Sequence, residues 1–391
     1  MKNTIKQLIA LLIPILLTQS CGSSMNHDIQ NRDVRIRDFI AKRLASNDFP
    51  GLQYIVVSPE SILFNYSGGL ADIKGNRPVE PETTMMIYSM TKTFTAAAVI
   101  QLADNKKLSL DDPVSNYIPD IPYSEKITIR QLLSQTSGIP DPIPLRWVHL
   151  AGEDPSFDED LALNNILAEN PKLDFYPGKK YAYSNISYWL LGKIIEKAGG
   201  TGFKAYMRDN IFRRLGLSPQ EIDCRIPSGS NHAKGYLKKY SFLNLFKSLV
   251  MDAKYFGDYE GGWLRIRDHY LNGPSFGGMV SSARSIGVFL QDQLQEESVL
   301  FSKEGRRLFY EQQRNNDGDL IGMSPGWHIK STGKTTYYYK EGGGGGFHCE
   351  MRIYPSRKIA SVVIANNTSF DAPGFLDDTD REFFELRDEP Q

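Results

Sequence analysis

The chain has 391 residues, 41% of them hydrophobic and 23% charged, which is an ordinary globular composition with length enough for one large core or two smaller ones. Such a composition excludes extended disorder. The 45 basic and 46 acidic side chains leave a net charge of −1, so there is no electrostatic basis for nucleic-acid binding and a small neutral ligand is favoured.

In chain order, Lys2 and Lys6 precede an apolar run from Leu8 to Leu17 and the small polar stretch Thr18-Gln19-Ser20-Cys21-Gly22-Ser23-Ser24. This is the pattern of an export signal. The run of ten is too short to cross a bilayer, which takes about 20 residues, and residues 1–20 are therefore set apart from the fold. A cysteine directly after a small residue at this point resembles a bacterial lipoprotein signal. That resemblance implies a lipidated Cys21 as the new terminus, a tether over residues 21–31 and a periplasmic or cell-envelope location. The membrane would then be met only through the anchor. Thr18 stands where leucine is usual in such signals, and ordinary cleavage would instead release a soluble periplasmic protein.

Apolar residues at Val34, Ile36, Phe39, Ile40 and Leu44 recur at helical spacing and predict a first helix over residues 33–46, ended by Asn47-Asp48-Phe49-Pro50-Gly51. Residues 53–58 and 61–66 are rich in β-branched and aromatic side chains around a turn at Pro59-Glu60, a β-hairpin pattern. Strand-like runs return at 327–330, 336–340, 347–354 and 359–366, and residues 379–387 predict a closing helix. Between these β-rich ends lies a long, mostly helical stretch. The expected fold class is α+β, with an antiparallel sheet made from both chain ends, flanked by helices. One α/β lobe would take residues 32–107 and 325–391, and an inserted helical lobe residues 108–324. A cleft between such lobes is a favoured ligand site.

Three motifs carry chemistry. In Ser89-Met90-Thr91-Lys92, at the head of an apolar helical run to Asp104, the hydroxyl and the ammonium lie one turn apart on one face. A lysine whose pKa is depressed by burial or by a neighbouring cation can take the serine proton. In Tyr183-Ser184-Asn185, on a loop entering a helix, the phenol can be held partly ionised by nearby ammonium groups or can relay a proton. The Asn185 amide can both donate to and accept from an amide substrate. In Lys340-Glu341-Gly342-Gly343-Gly344-Gly345-Gly346, between two predicted strands, glycine lets a ligand or another backbone approach, and an exposed N–H there can donate to an oxyanion. Lys340 supplies positive charge.

Read in this order, Ser-x-x-Lys, Tyr-x-Asn and Lys-x-Gly resemble the serine β-lactamase and penicillin-binding protein superfamily, and the tyrosine points to its class C β-lactamase and esterase branch. Leu132-Leu133-Ser134-Gln135-Thr136-Ser137-Gly138-Ile139, Phe175-Tyr176-Pro177-Gly178 and Gly277-Gly278-Met279-Val280-Ser281-Ser282-Ala283-Arg284 resemble further segments of that branch. The resemblance implies the β-lactamase/transpeptidase fold and a covalent acyl-enzyme on an ester or amide. It makes Ser89 the nucleophile, Lys92 its base and Tyr183 the proton shuttle. Asn185, Lys340, Gly342 and Gly343 would bind substrate, with the N–H groups of Ser89 and Gly343 forming the oxyanion hole. Glu341 stands where the β-lactamases and peptidases of the family usually carry threonine or serine, the hydroxyl that helps hold the β-lactam carboxylate, and its charge opposes a substrate carboxylate. A small ester or a D-amino-acid peptide of the peptidoglycan type is therefore expected rather than a β-lactam. The alternatives are a penicillin-binding sensor or wall-fragment binding protein that does not turn over, and a true class C β-lactamase.

No cofactor is expected, and no metal, since Cys-x-x-Cys, His-Glu-x-x-His and His-x-His are all missing from the sequence. Cys224 and Cys349 are compatible with one bridge or two buried thiols. The oligomeric state is unread. Gly273-Pro274-Ser275-Phe276-Gly277 matches a Gly-x-Ser-x-Gly elbow, with His328 or His348 downstream, but Arg265, Arg267, Asp268 and His269 make the preceding segment too charged for the buried strand that an elbow needs. Ser275 is expected on a wall of the same cleft.

Overall fold

The computed structural model describes residues 28–384, apart from 124–125, 143–145, 230 and 334 and the side chains of 249–250. The export signal, Cys21 and the far end of the expected closing helix lie outside these residues. The chain divides into two units, residues 49–380 and residues 28–48 with 381–384. In the smaller unit, helix α1 (residues 28–45) starts five residues before the expected position. Its Arg35 pairs with Glu382 at 2.6 Å, and the Arg32 guanidinium lies 4.2 Å from the centre of the Phe383 ring.

The larger unit is organised on an eight-stranded antiparallel sheet. Its strands in chain order are β1 (Gly51–Val57), β2 (Ile62–Asp72), β3 (Arg77–Pro78), β4 (Met323–Ser324), β5 (Trp327–Thr332), β6 (Thr335–Gly344), β7 (Phe347–Tyr354) and β8 (Ile359–Ala365), and across the sheet they run β4-β5-β6-β7-β8-β1-β2-β3. The two ends of the chain meet at the β1–β8 pair, with Leu52 opposite Ala365 and Val57 opposite Ala360. Both strands are buried along their whole length, so their sequences read as continuous apolar runs rather than as alternation.

The side chains still alternate in direction. Tyr54 meets the Phe375 ring at 5.2 Å, on a helix over Ala372–Thr379, while Ile55 and Val57 pack at Gly287 of another helix, Ala283–Leu294. Helices thus cover both faces, and each β1 residue faces one of them. The closing helix lies earlier than residues 379–387 because Asp371 caps it, accepting the Gly374 N–H at 3.0 Å with Pro373 in the first turn.

Between β3 and β4 the chain forms helices, as expected, but also three small sheets: Val148–Leu150 with His269–Leu271; Met85–Met86 and Ile222–Asp223 on either side of Val280–Ser281; and Gly235–Lys238 and Phe256–Glu260 on either side of Trp263–Ile266. Each strand there has two to five residues, too few for a period of two to stand out in the sequence. Two helices position the site. Helix α2 (Thr91–Asp104) is buried on every side as far as Leu102, with its Phe94 ring 4.3 Å from that of Phe289. Helix α3 (Asn185–Gly199) is capped by Ser184, which accepts the Ser187 N–H at 3.2 Å, and ends at Gly200 with φ of 71°. Cys224 and Cys349 are free, buried thiols. Among the described residues no helix is long and apolar enough to cross a membrane.

Candidate active site

Ser89 lies in a single 3₁₀ turn, Tyr88–Met90, that leads into α2, and no side chain caps that turn. The residue before it, Tyr88, has φ of 42°, a left-handed backbone that costs a bulky residue about 1–3 kcal/mol and persists only when its surroundings hold it. They do so here. The Tyr88 hydroxyl donates to the Gly345 carbonyl at 2.6 Å and lies 3.2 Å from His269 Nε2.

The glycine run explains how the strand and the turn come together. A Cβ on Gly342 would sit 2.2 Å from the Ile87 carbonyl oxygen, and one on Gly344 would sit 2.5 Å from the Tyr88 ring. Glycine at these two positions lets the edge of β6 lie directly against the turn that carries Ser89.

The Ser89 hydroxyl receives two hydrogen bonds, one from Lys92 Nζ at 3.2 Å and one from the Tyr183 hydroxyl at 2.8 Å. Lys92 is fully buried, and its ammonium also donates to Asn185 Oδ1 and to the Phe276 carbonyl, both at 2.6 Å. Asn185 is held in turn by Asp141, whose carboxylate accepts its backbone N–H at 2.9 Å and its side-chain amide at 3.0 Å. Since Asp141 takes the amide nitrogen, the amide oxygen must face Lys92.

Electrostatics follow from burial. Desolvation holds the Lys92 pKa well below the usual lysine value, the Lys340 ammonium lowers it further, and Asp141 opposes both. Desolvation also pushes Lys340 down to about 7, with Glu341 opposing. The Tyr183 phenol is raised, again chiefly by burial. Burial therefore works against the partial ionisation read from the sequence. The Nζ atoms of Lys92 and Lys340 lie 4.8 Å and 4.9 Å from the centre of the Tyr183 ring, so both lysines reach the phenol.

These groups open onto a cleft of about 220 Å³ bordered by Ser89, Tyr183, Asn185 and the Gly343–Gly345 edge, with Met251, Leu271 and Phe276 as apolar walls. Lys340 and Gly342 are placed differently from the expectation. The alternation along β6 turns both inward, leaving Lys340 2% exposed behind Tyr183 and Gly342 against Ile87, while Gly343 lines the cleft. Glu341 points the other way and pairs with His348 at 2.6 Å. Ser275 also departs from the expectation. It is 1% exposed and lies behind the wall, its Oγ 3.5 Å from the Trp189 carbonyl, and only its neighbour Phe276 reaches the cleft. Among the described residues no group of three or more His, Cys, Asp or Glu side chains could hold a metal ion.

A family model described as Beta-lactamase matches residues 36–383. The chain belongs to the beta-lactamase family. It is 27% identical over 282 residues to Penicillin-binding protein 4* of Bacillus subtilis, covering 69% of this chain and 58% of that one. It is 31% identical over 188 residues to Protein flp of Staphylococcus aureus, covering 46% of this chain and 36% of that one. The chain thus spans less than two thirds of the length of these relatives. Among solved structures, D-amino acid amidase from Ochrobactrum anthropi superposes with a TM-score of 0.73 at 20% identity, covering 93% of this chain and 98% of that one. A class C beta-lactamase gives 0.72 at 16% identity, with the same coverages. The octameric penicillin-binding protein homologue from Pyrococcus abyssi gives 0.72 at 22% identity, covering 90% and 76%. The fold of this beta-lactamase-family chain is theirs.

Sequence reasoning missed three members of the site in this beta-lactamase-family chain: Asp141, the Phe276 carbonyl and the strained Tyr88. Asp141 had one available signal, its place in Pro140-Asp141-Pro142, where a carboxylate has no helix to cap. A backbone carbonyl carries no sequence signal at all.

Proposed function

We propose that this protein is a serine hydrolase that forms a covalent acyl-enzyme at Ser89 on a small ester or a D-amino-acid-type amide. The observation that carries this reading is the Ser89 hydroxyl held between Lys92 Nζ at 3.2 Å and the Tyr183 hydroxyl at 2.8 Å, at the base of the cleft. Lys92 in its neutral form takes the Ser89 proton as Oγ attacks the substrate carbonyl carbon. The N–H groups of Ser89 and Gly343 receive the oxyanion. As the tetrahedral intermediate collapses, the bond to the leaving group breaks and the leaving group takes up the proton through Tyr183. Water then attacks the acyl carbon, returning the proton to Ser89 and releasing the acid. Lys340 supplies positive charge behind Tyr183, and Asn185 orients both Lys92 and the substrate.

Glu341 supports the choice of substrate. Glu341, two residues before Gly343 of the cleft, stands where relatives that bind the β-lactam carboxylate place a hydroxyl, and its partner His348 offsets its charge when protonated. A substrate carboxylate would meet repulsion there. The solved D-amino acid amidase shares the fold and is consistent with an amide substrate. The sequence before residue 28 supports export and anchoring at Cys21.

Incubation with an activated ester or a fluorophosphonate, followed by intact-mass measurement, tests this reading. A transient mass gain with product release is expected of the ester. A permanent gain would make the protein a sensor, and no gain, or the same gain in Ser89→Ala, would overturn the reading. In a panel of p-nitrophenyl esters, nitrocefin and D-amino-acid peptides, nitrocefin should be the poorest substrate, and Glu341→Thr should improve it about tenfold, the loss of roughly one like-charge contact. An unchanged nitrocefin rate in Glu341→Thr would remove Glu341 from specificity.

The depressed lysines also set the pH dependence. The base must be neutral, so the acylation rate should rise with pH as the buried lysine pair loses a proton, and then level off. Stability should move the same way. Between about pH 7 and the unfolded-lysine value near 10.4, the unfolded chain binds a proton that the folded chain does not, so unfolding free energy rises with pH across that window. A rate that falls from pH 6 to pH 8 would contradict the assignment of Lys92 as base.

A further inference from the structure

The helix Phe242–Val250 is built inside out. Among its described side chains the buried one is polar: Asn244, 4% exposed, donates from its side-chain amide to the Lys239 carbonyl at 2.8 Å and to the Tyr259 hydroxyl at 3.2 Å. At 100° per residue, Phe242, Leu243, Leu245 and Phe246 fall on the opposite side, and they are 75%, 47%, 77% and 41% exposed. The Phe242 and Phe246 rings pair at 4.6 Å, and Tyr240, just before the helix, is 87% exposed. Burying these side chains would remove a large apolar area from water, at about 25 cal/mol per Å², and a contiguous exposed patch of this kind marks an interaction surface.

The charge around the patch identifies what it meets. Residues 238–254 hold four lysines, Lys238, Lys239, Lys247 and Lys254, against one acid, Asp252. Lys254 is paired with Glu153, and among the described residues no carboxylate lies within ion-pair distance of the other three. An apolar helix face rimmed by lysines has the makeup of a helix that lies in the boundary of an anionic bilayer, its rings among the acyl chains and its ammonium groups at the lipid phosphates. A second copy presenting the same face across a two-fold axis would bring like charges together.

We propose that the exposed face of the helix Phe242–Val250, with its flanking lysines, docks the protein on an anionic lipid surface. The residue that follows the helix, Met251, lines the cleft. Docking therefore sets the cleft beside the bilayer, where membrane-bound substrates are concentrated. The proposal stands apart from the chemistry at Ser89, and a Ser89→Ala chain should bind vesicles as its parent does.

The test uses the chain from residue 22 onward, which lacks both the apolar run Leu8–Leu17 and Cys21, with Leu245→Cys labelled with an environment-sensitive fluorophore. Phosphatidylcholine vesicles containing phosphatidylglycerol should shift the emission to the blue and raise it several-fold, and spin-labelled lipid should quench it. Adding Lys239→Glu and Lys247→Glu should weaken that response about tenfold or more, since each lysine at an anionic surface contributes roughly fivefold. The same label at Phe242→Cys repeats the measurement if the first variant does not fold, as judged by circular dichroism. No response to lipid, an equal response to pure phosphatidylcholine, or a shift that follows protein concentration without lipid would each overturn the proposal, the last by showing that a second copy covers the face.

Discussion

Ser89→Ala should lower the acylation rate by about 10⁴-fold or more while leaving the melting temperature close to that of the parent, because it deletes only the nucleophilic oxygen. Lys92→Ala should lower the rate by a similar factor and the two losses should not add, since base and nucleophile act as one unit. The stabilities separate the two variants. Losing the Lys92 side chain leaves the Asn185 Oδ1 and the Phe276 carbonyl without a donor in a buried place. Each unsatisfied group costs about 1–3 kcal/mol, partly offset by the relief of a charge that burial already disfavours. Lys92→Ala is therefore expected to melt lower than Ser89→Ala despite equal inactivity. Rates from ester turnover and melting curves from calorimetry check both points, and a double variant ten thousand-fold slower than either single one would contradict the coupling.

Gly342→Ala should also damage activity, although less than Ser89→Ala and although Gly342 lies against Ile87 and not in the cleft. Its methyl would lie 2.2 Å from the Ile87 carbonyl oxygen and 3.1 Å from the Met90 nitrogen, both backbone atoms of the segment that carries Ser89. Neither can turn aside as a flexible side chain would. The strand must move out, taking the Gly343 N–H with it, and loss of one oxyanion donor typically costs about 10²–10³-fold in rate. Overpacking of this sort costs about 1–3 kcal/mol in stability. Gly318→Ala, at a turn where a new methyl meets nothing within 4 Å, serves as the contrast. Its φ of 86° makes alanine there destabilising by about 1–2 kcal/mol, with no effect on rate. Equal rates for Gly342→Ala and the parent would mean that the edge of β6 takes no part in the reaction.

Much of the fold was legible because the two ends of the chain spell their strands strongly. The run Phe347–Tyr354 was read at its true limits, and Ile359–Ala365 within one residue. The short strands between β3 and β4 were not legible. A pair such as Val280–Ser281 and Met85–Met86 exists because the surrounding chain brings two dipeptides together, not because either favours extension. The inside-out helix at Phe242 would pass in sequence for an ordinary amphipathic one. Periodicity shows that an apolar face exists and is silent about which way it points.

At the site the division is similar. Ser89 and Lys92 are coupled by a helical turn, which is local geometry and can be read from spacing alone. The ordered appearance of Ser-x-x-Lys, Tyr-x-Asn and Lys-x-Gly could likewise be seen in the chain, and with it the family. What only the tertiary structure decided is every contact that spans the chain: Asp141 to Asn185, Lys92 to the Phe276 carbonyl, Gly342 against Ile87, and Lys340 turned behind Tyr183. It also set the direction in which the site groups are shifted, since Lys92 and Lys340 are lowered and Tyr183 is raised chiefly by the loss of water around them. Desolvation is a collective property of everything packed nearby, and no residue carries it in its own identity.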